Sequence, residues 1–128
     1  MDPQEDLAAL ASDIRRTSLE MIARARSSHV GSVFSSAEIL SVLYGSVLNV
    51  RPSEPEWADR DRFVLSKGHA CAGLYAVLAA RGFFPRERLN GFYVDGGSLA
   101  GHATHKGVPK AKIKKYREAR RAANAKKN

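Results

Sequence analysis

Residues 59–70 read Asp-Arg-Asp-Arg-Phe-Val-Leu-Ser-Lys-Gly-His-Ala. Asp59, Arg60, Asp61 and Arg62 alternate in charge and read as a solvated ion-pair loop, an element with almost no net value for stability. Phe63, Val64 and Leu65 follow with no polar residue between them. A run so short and so apolar suits a buried strand of the parallel kind. Ser66, Lys67, Gly68 and His69 form the turn after it. A helix of small residues then spans 70–81, with Gly82 at its C-cap. Loops that follow strands and precede helices are where α/β proteins build their sites.

Outward from this segment the pattern is helical. Over residues 5–26, Leu7, Leu10, Ala11, Ile14, Ser18, Met21, Ile22 and Ala25 recur at i, i+3, i+4 spacing, which predicts an amphipathic helix. Arg15, Arg16, Arg24 and Arg26 fall off that stripe. A polar loop over 27–34 holds His29 and Gly31. Ser35-Ser36-Ala37-Glu38 fits a capping box, in which Ser35 accepts from an early backbone N–H and Glu38 reaches back. The helix it opens, about 36–48, is apolar over much of its circumference and predicts burial on more than one side. Arg51-Pro-Ser-Glu-Pro breaks the chain, and Pro85 opens a short helical turn through Leu89. The order helix, helix, strand, helix, helix predicts an α/β fold with one strand visible. One strand makes no sheet, so the body reads as part of a larger domain.

The chain has 128 residues, 44% hydrophobic and 27% charged, a globular composition that excludes wholesale disorder and collagen-like architecture. Its single cysteine, Cys71, excludes an intramolecular disulfide and a cysteine-rich metal site, and it reads as a small buried hydrophobe. No apolar run approaches the roughly 18 residues that span a bilayer, and the acidic N-terminus is unlike a signal or transit peptide. A cytoplasmic protein without membrane contact is therefore expected. The net charge of +8 is unevenly spread. Residues 1–105 carry 11 Lys+Arg against 12 Asp+Glu, whereas residues 106–128 carry 10 Lys+Arg and one acid, Glu118. The expected organisation is a near-neutral body over 1–105 and a basic tail over 106–128.

All four histidines lie in glycine-bearing loops: His29-Val-Gly31, Gly68-His69, Gly101-His102 and His105-Lys-Gly107. Glycine permits close backbone approach to a ligand, and imidazole donates or accepts near neutral pH. Their placement marks a candidate site rather than a core. His102 and His105 have a spacing open to a metal, but no carboxylate or thiol lies close by in sequence, so no metal site is assigned.

Together these segments resemble the transketolase family. Residues 59–70 are similar to its signature segment. Ser28-His29-Val30-Gly31, followed by Ser-Ser-Ala-Glu-Ile-Leu-Ser-Val-Leu-Tyr over 35–44, is similar to the preceding motif. Leu74-Tyr75-Ala76-Val77-Leu78 and Leu99-Ala100-Gly101-His102 continue the match in order. The His-Val-Gly form resembles N-terminal subunits of split bacterial transketolases. The resemblance implies the N-terminal part of a doubly wound α/β domain that binds thiamine diphosphate and Mg²⁺. It also implies transfer of a two-carbon ketol unit between sugar phosphates, at a site shared with a complementary C-terminal subunit or a homodimer partner. By motif, His29 would contact the donor sugar and take part in proton transfer, and His102 would hydrogen-bond the ketol hydroxyls; these two are the catalytic candidates. His69 would line the channel by the diphosphate, a cofactor-binding role. His105 has no counterpart.

The resemblance ends near Val108-Pro109. The family continues with a Gly-Asp-Gly motif and a downstream Asn that hold Mg²⁺, and this chain has no Asp after Asp95 and no Gly after Gly107. Residues 106–128 are either junction or out-of-frame sequence behind a truncated body, or a solvated C-terminal helix of good helix formers. The expectation is a subunit fragment that binds thiamine diphosphate weakly and is inactive alone. The alternative is a non-catalytic interaction protein, or one that binds nucleic acid nonspecifically through the tail with a steep salt dependence. A structural partner that dimerises with a longer homologue is a third reading.

Overall fold

The computed structural model describes residues 2–102. The expected body end and the whole basic tail, with His105, lie outside the described residues. Helix α1 (Pro3–Ala25) begins where chemistry favours it. The Asp2 carboxylate accepts the Gln4 N–H at 3.0 Å, Pro3 occupies the first turn, and Glu5 and Asp6 face the positive end of the helix dipole. It ends at Arg26, in the left-handed region (φ 50°), whose N–H closes onto the carbonyls of Ala23 and Ile22. The predicted stripe is the buried one: Ala11, Ile14, Met21 and Ile22 face the core, with Thr17 and Ser18 beside them.

Helix α2 (Val30–Phe34) occupies most of the segment expected as a loop, and α3 (Ala37–Val42) continues into a π turn over Leu43–Val47. Five residues are too few for hydrophobic periodicity to reveal α2. The capping box does not form. Ser35 and Ser36 turn back onto the end of α2 instead, the Ser36 hydroxyl donating to Ser32 O at 2.8 Å and to Val33 O at 3.1 Å. Glu38 pairs with Arg15 of α1. Nor is α3 buried all round. Leu40, Ser41 and Tyr44 are inside, while Ile39, Val42 and Val47 are exposed among the described residues.

A 3-10 turn (Gly68–Ala70) leads into helix α4 (Cys71–Ala80), which is the centre of the structure. Every residue from Cys71 to Ala79 is buried. A helix with no polar face must be covered on all sides, and α1, α2, α3 and the last 3-10 turn (Arg86–Gly91) do so. Small residues set the spacing. A side chain at Gly73 would meet Leu40 Cδ1 and Val33 Cγ1, each at 3.2 Å. Gly82 (φ +80°) ends α4 as expected.

The expected strand is not a strand here. Phe63, Val64 and Leu65 have no regular secondary structure and no ladder hydrogen bonds among the described residues, and Val64 is exposed. A strand exists only through a neighbour, and among the described residues the sole pairing is one parallel bridge, Phe92 with Leu99. Phe63 still packs inward, its ring 5.7 Å from that of Tyr44. The charged run before it is also more than a solvated loop. Asp61 accepts the Asn49 N–H at 2.7 Å and returns its own N–H to Asn49 O at 2.9 Å, closing the 49–61 excursion.

The last 3-10 turn is tied to α1 by charge. Arg86 bonds Asp13 and reaches Thr17 Oγ1 at 3.3 Å, and Arg16 bonds the other Asp13 oxygen at 3.0 Å. Partial burial works to raise the Asp13 pKa, but the Arg86 and Arg16 contacts outweigh it and hold the carboxyl below its ordinary 3.8. Because the folded value is the lower one, the contribution is complete above pH 3.8 and is lost as pH falls through the folded value. Asp13→Asn should lower stability at pH 7 by about 0.5–1 kcal/mol and flatten the acid limb of the stability curve. Thermal melts from pH 7 to pH 2 check this, and parallel curves for the two proteins would contradict it.

Candidate functional site

The three predicted histidines within the described residues meet. His29 and His69 have ring centroids 5.1 Å apart, and His29 and His102 6.0 Å apart. They come from three separate places: the loop before α2, the turn before α4, and the segment after the Phe92–Leu99 bridge. They line an open cleft of about 280 Å³ together with Arg26, Ser27 and Tyr93.

Each is placed by its local backbone. His29 caps the start of α2 in the left-handed region (φ 75°, ψ 25°), so the strained position falls on the histidine itself and not on Gly31. His69 lies in the 3-10 turn that α4 holds at its buried end. Lys67 joins these two loops, its ammonium donating to Ser32 O at 3.2 Å and to Ser35 Oγ at 2.9 Å. His102 follows a stretch packed against α4. The Tyr75 hydroxyl donates to Ala100 O at 2.9 Å, and the Cys71 thiol donates to Gly101 O at 3.0 Å. Burial pushes the Cys71 pKa up to about 11, so the thiol stays protonated and is no nucleophile at neutral pH.

The donor set determines what the cleft suits. Among the described residues, Arg26, three imidazoles and two serines line it, and no carboxylate does. The Ser27 hydroxyl is buried without a hydrogen-bond partner among those residues. These groups fit an oxygen-rich anion such as a phosphorylated ligand. They do not fit a hard cation. Among the described residues no group of three His, Cys, Asp or Glu side chains is arranged to hold a metal ion. The volume sits at the lower edge of the roughly 300–1,000 Å³ of small-molecule clefts, as one wall of a larger site would.

Arg26, Ser27 and Tyr93 were not evident as site residues. Arg26 read only as a residue off the apolar stripe, and Tyr93 enters through a left-handed backbone (φ 48°) that no pattern announces.

A family profile for the thiamine diphosphate binding domain of transketolase matches residues 7–114, and the chain belongs to that family. The match runs on past residue 106 into the basic segment. The chain is 42% identical over 101 residues to the 6-deoxy-6-sulfo-D-fructose transketolase subunit SqwG of Clostridium sp., covering 79% of this chain and 37% of that protein. It is 38% identical over 90 residues to an apulose-4-phosphate transketolase subunit of Phocaeicola vulgatus, covering 70% of this chain and 32% of that protein. Transketolase from Leishmania mexicana superimposes with a TM-score of 0.76 at 33% identity, over 81% of this chain and 16% of that one. The helical body is therefore the opening of an α/β thiamine diphosphate binding domain. The chain spans little more than a third of the length of the curated relatives it matches, and less in several cases.

Lys67→Met removes the ammonium that ties the His69 turn to α2 and its end, while Ser32 O keeps its Ser35 and Ser36 hydroxyl donors. It should cost about 1–2 kcal/mol in chemical denaturation and weaken nuclear Overhauser contacts between the His29 and His69 rings. Unchanged ring contacts would show that packing alone holds the pair.

Proposed function

We propose that this chain supplies the diphosphate and donor-sugar wall of a transketolase-type site that moves a two-carbon ketol unit between sugar phosphates. The observation that carries the reading is the meeting of His29, His69 and His102 in one cleft that has no carboxylate among its described lining residues. Membership of the family supports it. In this reading His69 and Arg26 face the diphosphate, where cationic and N–H donors hold phosphate oxygens best. His102 hydrogen-bonds the hydroxyls of the ketol unit. His29 accepts a proton from a sugar hydroxyl oxygen and returns it, the task for which imidazole suits neutral pH. Thiamine diphosphate, when bound, supplies the carbanion chemistry that breaks and remakes the carbon–carbon bond.

Mg²⁺ accompanies the diphosphate, and its oxygen ligands come from outside residues 2–102. The other face of the site belongs to a partner, either a complementary C-terminal subunit or a second copy. Two of the relatives are named as subunits, which supports the first. No helix among the described residues is long and apolar enough to cross a membrane, and sugar-phosphate substrates go with a cytoplasmic location.

Calorimetric titration of the whole chain with thiamine diphosphate, with and without Mg²⁺, tests the proposal. Binding weaker than micromolar and indifferent to Mg²⁺ is expected. His69→Ala should weaken it about tenfold, the worth of one hydrogen bond to a charged group. Micromolar, Mg²⁺-dependent affinity would overturn the metal assignment. An unaltered affinity in His69→Ala would overturn the use of this cleft.

A further inference from the structure

We propose that Tyr75, assisted by Cys71, is the positioning residue for His102, holding the backbone ahead of it so that its imidazole stands in the cleft facing His29. The inference rests on the reading of that cleft given above, but the geometry behind it is independent of the cofactor. Three successive carbonyls lead up to His102, and each has a donor. Leu99 O accepts the Tyr93 N–H at 2.8 Å. Ala100 O accepts the Tyr75 hydroxyl at 2.9 Å. Gly101 O accepts the Cys71 thiol at 3.0 Å.

Two of the three donors are side chains one turn apart on α4, the most deeply buried helix of the structure. Tyr75 is fully buried, and its ring meets that of Phe92 edge-on at 6.0 Å, so the hydroxyl has little freedom to point elsewhere. Cys71 is likewise fully buried, and its thiol stays protonated and able to donate. From the other side the Tyr93 ring lies against Gly101 so closely that a Cβ there would fall 2.4 Å from Tyr93 Cδ2. The segment is thus gripped between α4 and Tyr93.

His102 itself is exposed and makes no hydrogen bond among the described residues; its one ring contact is with His29. With nothing holding the imidazole directly, its direction is inherited from residues 99–101. His69 has a different support, the 3-10 turn at the start of α4. Loss of the Tyr75 hydroxyl should therefore reach His102 and spare His69.

Imidazole nuclear magnetic resonance on the full chain without cofactor reads this directly, with His102→Gln and His69→Gln assigning the signals. In Tyr75→Phe the His102 cross-peak should move, while that of His69 stays. A His102 signal that stays, or one that moves in step with His69, would overturn the proposal. If circular dichroism shows that Tyr75→Phe does not fold, Cys71→Ala decides by the same criteria, and Cys71→Ser, which restores a donor to Gly101 O, should return the His102 signal toward its original position. Titrating wild type with thiamine diphosphate in the same spectra separates the two ideas. Histidine signals indifferent to thiamine diphosphate would count against the proposed function alone.

Discussion

A ten-residue helix without a polar face governs this structure. Cys71–Ala80 exposes almost nothing, so every neighbouring element must present an apolar side to it. Covering a few hundred square ångströms of such surface is worth several kcal/mol, at about 25 cal/mol per Å². That driving force gathers α1, α2, α3 and the final 3-10 turn around one axis. The small residues of α4 allow close approach, and Gly73 marks where Leu40 and Val33 press in.

The same helix carries the site. The 3-10 turn that leads into it holds His69, and its buried face reaches past the apolar layer with one hydroxyl and one thiol to the carbonyls ahead of His102. The buried Tyr75 hydroxyl and Cys71 thiol are tolerated because each finds an acceptor. Among the described residues the Ser18 and Ser27 hydroxyls find none, and of these two Ser27 lies in the lining of the cleft. Core packing and site geometry are therefore one arrangement. The rings can stay open to a ligand because the backbone beneath them is held by the core.

Much of this was legible from residues alone. The i, i+3, i+4 recurrence from Leu7 to Ala25 marked α1 and its buried stripe, since a straight helix shows one face at that period. Glycine within two residues of His29, His69 and His102 marked the segments that meet in the cleft. The errors have local causes. Ser35 and Glu38 have the spacing of a capping box, yet Ser35 and Ser36 found nearer acceptors in α2 and Glu38 found Arg15. Phe63, Val64 and Leu65 have the composition of a strand, but a strand needs a neighbour to bond, and residues 2–102 contain none.

By itself the sequence determined that the segments of α1, α3 and α4 are helical, which face of α1 is buried, and to which family the motifs belong. These follow from periods and residue types that act over a few positions. Only the tertiary structure decided that His29, His69 and His102 share one cleft, that Arg26, Ser27 and Tyr93 line it, and that Lys67 and Tyr75 reach across to hold its edges. Those contacts join residues as much as 73 positions apart, His29 with His102. No local period encodes them, and they exist because burying α4 brings the loops at its edges together.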